Sequence, residues 1–352
     1  MIVFRVDGSV EIGAGHVMRC LTLAKELKQQ GYDIRFISRK AVGDMAGLVE
    51  SNGFIVYSLP YIEKNLWKYI EENWEEDACA TIHAFENAHV ELLIVDHYSI
   101  DEKWESTLRP YVEKIMVIDD LANRKHSCDI LLDQNYYVDK QIRYVSLIPD
   151  YCLKLLGPKY AILRNEFIDY INLVKPIKDL KRLLLFMGGS DPTNETEKIL
   201  QYILPIINEH KIIVDVVVGG INSNRERIKN ICSENKYINY YCQIDNMAEM
   251  MVKADFCIGA GGATTWERCA LGLPTATVII AENQRKITED VSAYGACIFM
   301  GDIKGITKEH VQLTILNAKY NISKLNEMSK LGCNLVDGKG TQRVIKEIQN
   351  VL

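Results

Sequence analysis

Two short stretches of this 352-residue chain carry residue types that can act on a phosphorylated substrate. The first is Ile12-Gly13-Ala14-Gly15-His16, which follows the apolar run Ile2–Val6 and precedes an amphipathic pattern from about Val17 to Leu27. A glycine turn that opens a helix brings backbone N–H groups close to a ligand, and the helix dipole favours an anion there. A neutral imidazole at that position, His16, is suited to take a proton from water. The plainer alternative is a histidine that opens the helix and faces solvent.

The second stretch is Gly259-Ala260-Gly261-Gly262-Ala263-Thr264-Thr265-Trp266-Glu267, behind the apolar run Phe256–Ile258. Gly262, Thr264 and Thr265 at a helix start supply N–H and hydroxyl donors suited to a diphosphate. No two aspartates stand at D-x-D spacing, which fits diphosphate binding without a metal, and we expect neither metal nor cofactor. Glu267 either accepts hydrogen bonds from a ribose diol or simply favours the helix dipole. Upstream, Asp245 or Asn246 can cap the helix that Met247 begins. Downstream, Asn283 and Gln284 each offer a donor and an acceptor to a hydroxyl-rich ligand.

These residues need strand ends to hold them. Apolar runs alternate with helical patterns through both halves: Ile2–Val6, Ile34–Ser38, Leu92–Asp96, Ile115–Asp119 and Ile130–Asp133, then Leu183–Met187, Ile212–Val218, Phe256–Ile258 and Thr275–Ile279. Val/Ile/Leu-rich strands, each closed by a glycine or aspartate turn, indicate an α/β protein with parallel sheets. Ligands bind such sheets at the carboxyl ends of the strands. Asp7, Asp96-His97-Tyr98, Asp119-Asp120, Gly188-Gly189 and Gly259–Gly262 all fall there. The expected domains are 1–172 and 173–340, with a final helix over 341–352 and a join near Pro176. Two such domains would face each other across a cleft.

A net charge of −6 argues against a nucleic-acid partner. The longest apolar stretch, Ala270 to Ile280, is short and contains Pro274, so no membrane insertion is expected. The ten scattered cysteines form no C-x-x-C pair, and buried free thiols in a cytoplasmic protein are the expectation. We read the chain as a monomer.

Asp245-Asn246-Met247, Gly262-Ala263-Thr264-Thr265-Trp266-Glu267, Gly272-Leu273-Pro274 and Asn283-Gln284 resemble the nucleotide-sugar domain of GT-B proteins close to MurG. The whole chain resembles the PseG family of UDP-sugar hydrolases and its SpsG-like relatives of spore-coat polysaccharide synthesis. The residues that carry this are Phe4-Arg5-Val6-Asp7, Gly13-Ala14-Gly15-His16-Val17-Met18-Arg19-Cys20, Val95-Asp96-His97-Tyr98, Ile118-Asp119-Asp120-Leu121-Ala122, Leu131-Leu132-Asp133-Gln134-Asn135, Leu156-Gly157-Pro158-Lys159-Tyr160-Ala161 and Met187-Gly188-Gly189-Ser190-Asp191-Pro192.

The resemblance implies a GT-B fold of two Rossmann-like doubly wound domains. It also implies inverting hydrolysis of UDP-2,4-diacetamido-2,4,6-trideoxy-β-L-altropyranose in pseudaminic acid biosynthesis. His16 would be the general base. Thr264, Thr265 and Gly262 would hold the diphosphate, Glu267 the ribose, and Asn283-Gln284 the sugar or phosphate. The backbone at Ile244 would face the uracil, with Met247 packed close. Gly13, Gly15, Gly189, Arg5, Asp7 and Tyr98 complete the expected substrate contacts. Asp7 or Asp119 would orient His16.

The rivals are a GT-B glycosyltransferase whose histidine activates an acceptor hydroxyl, a hydrolysing 2-epimerase, and a nucleotide-sugar binding protein without catalysis. A hydrolase would release free sugar with no acceptor present, whereas a binding protein would leave its ligand intact.

Overall fold

The computed structural model describes residues 1–63 and 65–352. The chain divides into two compact units, one of Met1–Ile162 with Lys339–Leu352, the other of Leu163–Gly338. The division comes earlier than the join expected at 172/173. The reason is that the segment from Leu163 onward packs with the second unit: Phe167 lies in one apolar cluster with Met247, Met251 and Leu271. The last helix, Gly340–Val351, belongs to the first unit, where Val344, Ile345 and Ile348 join the core under the helix Gly15–Gln29.

The first unit is built on seven strands: β1 Ile2–Val6, β2 Ile34–Arg39, β3 Ile55–Leu59, β4 Val90–Asp96, β5 Val112–Ile118, β6 Ile130–Asp133 and β7 Leu153–Leu156. Their order in the sheet is β3-β2-β1-β4-β5-β6-β7, and every adjacent pair is parallel. Helices cover both faces, so the inner strands are mostly apolar, and all five residues of β1, Arg5 included, are buried.

The second unit repeats the plan with β8 Arg182–Phe186, β9 Ile213–Val218, β10 Ile238–Cys242, β11 Phe256–Ala260, β12 Thr275–Ile279 and β13 Ile298–Asp302. The order is β10-β9-β8-β11-β12-β13, again parallel. Both sheets reverse winding direction beside their first strand, between β1 and β4 and between β8 and β11. Such switch points leave a crevice at the carboxyl ends of the strands. The glycine turns after β1 and β11 both lie there.

Of the ten free cysteines, Cys79 and Cys242 are exposed, which departs from the expectation of buried thiols. Both lie outside the apolar patterns that bury Cys20, Cys257 and Cys269. Among the described residues no helix is long and apolar enough to cross a membrane.

Candidate active site

In the first unit the loop after β1 turns at Gly13, whose φ of +81° is open to glycine and strained for other residues. A Cβ at Gly13 or Gly15 would meet nothing within 4 Å, so both face open space. The helix then starts at Gly15 and sets His16 in its first turn.

The imidazole does not face solvent: it is 8% exposed, and its Nδ1 lies 2.5 Å from Oδ1 of Asp96 at the end of β4. Arg19, one turn along the same helix, holds Asp96 from the other side with Nε on Oδ2 and with Nη2 on Oδ1 at 2.6 Å. Burial alone would raise the Asp96 carboxyl, but Arg19 and His16 hold it far below the usual carboxylate range. An ionised carboxylate only accepts, so Nδ1 carries a proton, and in the neutral ring Nε2 is the nitrogen that can accept one. The contact of Arg19 Nη2 with Nδ1 at 3.1 Å is then close packing of two donors.

The orienting residue is therefore neither Asp7 nor Asp119. Asp7 is buried, accepts from Arg5 at 2.7 Å and from the Arg39 backbone N–H at 2.7 Å, and stands 3.3 Å from Nε2 of His97. Burial opposes its ionisation, yet Arg5 holds it well below the ordinary carboxylate value. Arg5 itself is fully buried and also binds Asp77 at 2.9 Å. The substrate contacts expected of Arg5 and Asp7 are replaced by a structural role, because neither presents an atom to the surface. Asp119 directly follows β5, one strand further from β1, and pairs with Arg124 at 2.8 Å.

Tyr98 lies against His16. Its half-buried ring meets His16 edge-on with centroids 4.7 Å apart. Burial and the nearby Asp120 push its hydroxyl pKa far up, so it stays protonated. Sequence reasoning missed Trp67, on the helix Leu66–Glu72. Its half-buried indole stacks on Tyr98 at 5.3 Å and approaches His16 at 5.9 Å and His97 at 4.7 Å. Tryptophan in an amphipathic helix usually reads as core, and only the contact with His16 marks it otherwise.

In the second unit Gly262 turns the chain after β11 with φ +106°. A Cβ on Gly261 would stand 3.1 Å from both the Gln284 side chain and Thr288, so the turn lies against Gln284. Oε1 of Gln284 accepts from the Ile280 N–H at 3.1 Å, which turns its amide group toward Gly262. Asn283 is exposed in the short turn Glu282–Gln284. The helix that follows the Gly262 turn, Thr264–Ala270, is only seven residues long, so its dipole is weaker than the sequence suggested.

Glu267 sits in that helix with Oε1 3.3 Å from Arg164, while Oε2 is buried without a hydrogen-bond partner. Burial raises its pKa against the pull of Arg164. Gly189 is exposed after β8, and its carbonyl packs so tightly on Gly219 that a Cβ there would lie 2.1 Å from it. Met247 is buried in the apolar cluster behind β8, and Ile244 packs at its margin. Thus Gly261–Thr265, Glu267 and Gln284 come together, whereas Met247 belongs to the core.

Residues 183–346 match the model of the glycosyltransferase family 28 C-terminal domain. An uncharacterised protein of Methanocaldococcus jannaschii is 29% identical, over 92% of this chain and 68% of its own. The UDP-2,4-diacetamido-2,4,6-trideoxy-β-L-altropyranose hydrolase of Campylobacter jejuni is 27% identical, over 80% of this chain and 93% of its own. The spore coat polysaccharide biosynthesis protein SpsG of Bacillus subtilis is 23% identical, over 98% of this chain and 96% of its own. Among solved structures, MurG of Acinetobacter baumannii superposes with a TM-score of 0.66 at 15% identity, covering 99% of both chains. That likeness is one of fold: the chain has the GT-B architecture of two parallel-sheet Rossmann-like units.

Proposed function

We propose that this protein is an enzyme acting on a UDP-sugar, and that it hydrolyses the bond between UDP and the anomeric carbon with inversion. The observation that carries the reading is His16, held through Nδ1 by Asp96, beside open space at Gly13 and Gly15. Similarity to the Campylobacter jejuni hydrolase supports both the nucleotide and the sugar, a 2,4-diacetamido-2,4,6-trideoxy-altropyranose.

In this reading the turn Gly261–Thr265 holds the diphosphate. The unpartnered Oε2 of Glu267 accepts from a ribose hydroxyl, and the amide of Gln284 contacts the phosphate or sugar. The oxygen of a water molecule forms its bond to C1 as the bond from C1 to the β-phosphate oxygen breaks. Nε2 of His16 takes the water proton, Asp96 stabilises the imidazolium through Nδ1–H, and UDP departs as the anion. The transition state has oxocarbenium character. UDP is a good leaving group, so hydrogen-bond donors at the diphosphate serve in place of a general acid.

Proton and phosphorus NMR of the purified protein with this UDP-sugar, in EDTA and without acceptor, tests the reading. Wild type should yield UDP and free sugar of inverted configuration, and His16→Asn should slow this by roughly 10²–10⁴-fold. Intact substrate beside tight UDP binding would turn the assignment toward sugar transfer to an acceptor.

A further inference from the structure

Arg5, Arg39 and Arg268 are the arginines buried to 2% exposure or less. Arg5 and Arg39 both bind Asp77, and Arg5 also binds Asp7. Arg268 has no such partner. Its guanidinium donates to the Ala260 carbonyl at 2.8 Å and to the hydroxyls of Thr264 and Thr265 at 3.2 Å each, and its Nε has no hydrogen-bond partner. Among the described residues no carboxylate lies within ion-pair distance of it. Glu267, the preceding residue, pairs with Arg164 and feels Arg268 only from beyond ion-pair distance.

The thiols of Cys257, Cys269 and Cys297 feel the same guanidinium, but burial pushes them up to about 11, about 12 and about 11. They remain neutral at physiological pH and supply no countercharge. A buried cation with no carboxylate in contact is strongly unfavourable.

The fold nevertheless makes room for this one. A Cβ on Gly259 would stand 2.8 Å from Nη1 of Arg268 and 2.9 Å from the Phe186 carbonyl oxygen. The guanidinium therefore occupies space that a side chain at Gly259 would take. It sits directly beneath the turn that carries Thr264 and Thr265. A hydroxyl that accepts from a guanidinium has its own proton left to donate elsewhere. Thr264 is half-buried where Arg268 is sealed, so that proton can reach a ligand.

We propose that the missing countercharge of Arg268 is the diphosphate of the bound nucleotide, polarised through the hydroxyls of Thr264 and Thr265. Arg268 is then the positioning cation of the leaving group. This rests on the reading that the Gly261–Thr265 turn binds the diphosphate of a UDP-sugar. It also explains how a helix of seven residues can sit at an anion site: the positive charge comes from a side chain.

The test is calorimetry of the full chain with UDP and with uridine, paired with thermal melts, for wild type, Arg268→Met, Arg268→Lys and Thr264→Val. Arg268→Met should weaken UDP by about tenfold or more and leave uridine within about twofold. Its unliganded melting temperature should not fall, because an unpaired charge has been removed, and its UDP-induced rise should shrink. Arg268→Lys should recover part of the UDP affinity. Thr264→Val should also lose UDP affinity and not uridine affinity, which keeps the inference testable if Arg268→Met does not fold.

An unchanged ratio of UDP to uridine affinity in Arg268→Met, with a lower unliganded melting temperature, would make Arg268 purely structural and overturn the inference. The same unchanged ratio in Thr264→Val would overturn the hydroxyl relay. UDP binding needs no turnover, so a wild type that binds UDP and splits no UDP-sugar sinks hydrolysis and leaves Arg268 in place. A wild type that binds uridine as tightly as UDP removes both.

Discussion

His16 and Asp96 stand 80 residues apart in sequence and 2.5 Å apart in space, because β1 and β4 are neighbours at the switch point of the first sheet. The contact fixes both the ring's tautomer and its direction. Asp96→Asn offers Nδ1 an amide that can donate as well as accept, so the unprotonated nitrogen is no longer reserved for Nε2. We expect kcat for UDP release to fall by roughly 10²–10⁴-fold, with UDP affinity within about twofold of wild type. Steady-state kinetics beside calorimetry with UDP separates the two quantities. Equal turnover in Asp96→Asn would remove Asp96 from the proposed mechanism.

Trp67 stacks on Tyr98 and approaches both His16 and His97. Truncation to alanine removes all three ring contacts at once. Trp67→Ala should lower kcat/KM by about tenfold, in line with an aromatic contact of about 1 kcal/mol plus lost packing. Trp67→Phe should keep most of the activity. Kinetics of the two variants, with melting temperatures alongside, check this; matching loss in both would point to the indole N–H instead of the ring.

The inner strands were legible in the sequence because burial on both faces leaves them almost wholly apolar. The edges were not. β3, β7, β10 and β13 are missing from the apolar runs. All four are edge strands. Each has one open side, and β3 alternates exposed and half-buried residues until Leu59.

The site shows a similar division. The glycine turns and His16 are local signals and could be read in place. Asp96 could not be chosen over Asp7 and Asp119, since all end strands and only sheet order decides which one borders β1. Strand order β3-β2-β1-β4 was the signal that would have selected it. Arg268 was overlooked because its meaning is the absence of a partner, which no spacing reveals.

Asp133, at the end of β6, lies among Asp119, Asp120, Tyr144 and Arg143. Burial, then Asp120, raises its pKa to about 8. Between its unfolded value of about 4 and about 8 the folded chain binds a proton that the unfolded chain releases. Stability therefore declines as pH rises through that window. Asp133→Asn mimics the protonated form and should flatten this decline. Melts at pH 5 should match between variant and wild type, and at pH 8.5 the variant should melt higher. A lower melting temperature for Asp133→Asn at both pH values would show that the carboxylate is needed ionised.

Glu267 offers a sharper test of nucleotide recognition, since one carboxylate oxygen is held by Arg164 and the other is buried with no partner. A buried acceptor of this kind is costly to leave unsatisfied, and a ribose hydroxyl would satisfy it. Wild type should bind 2′-deoxy-UDP or 3′-deoxy-UDP about tenfold more weakly than UDP, because the missing hydroxyl returns Oε2 to its unpartnered state. Glu267→Gln should bind UDP and that deoxy analogue with similar affinity. Calorimetry with the three ligands reads the comparison directly. If wild type does not distinguish them, Glu267 takes the structural role of pairing Arg164, and ribose recognition must come from another part of the second unit.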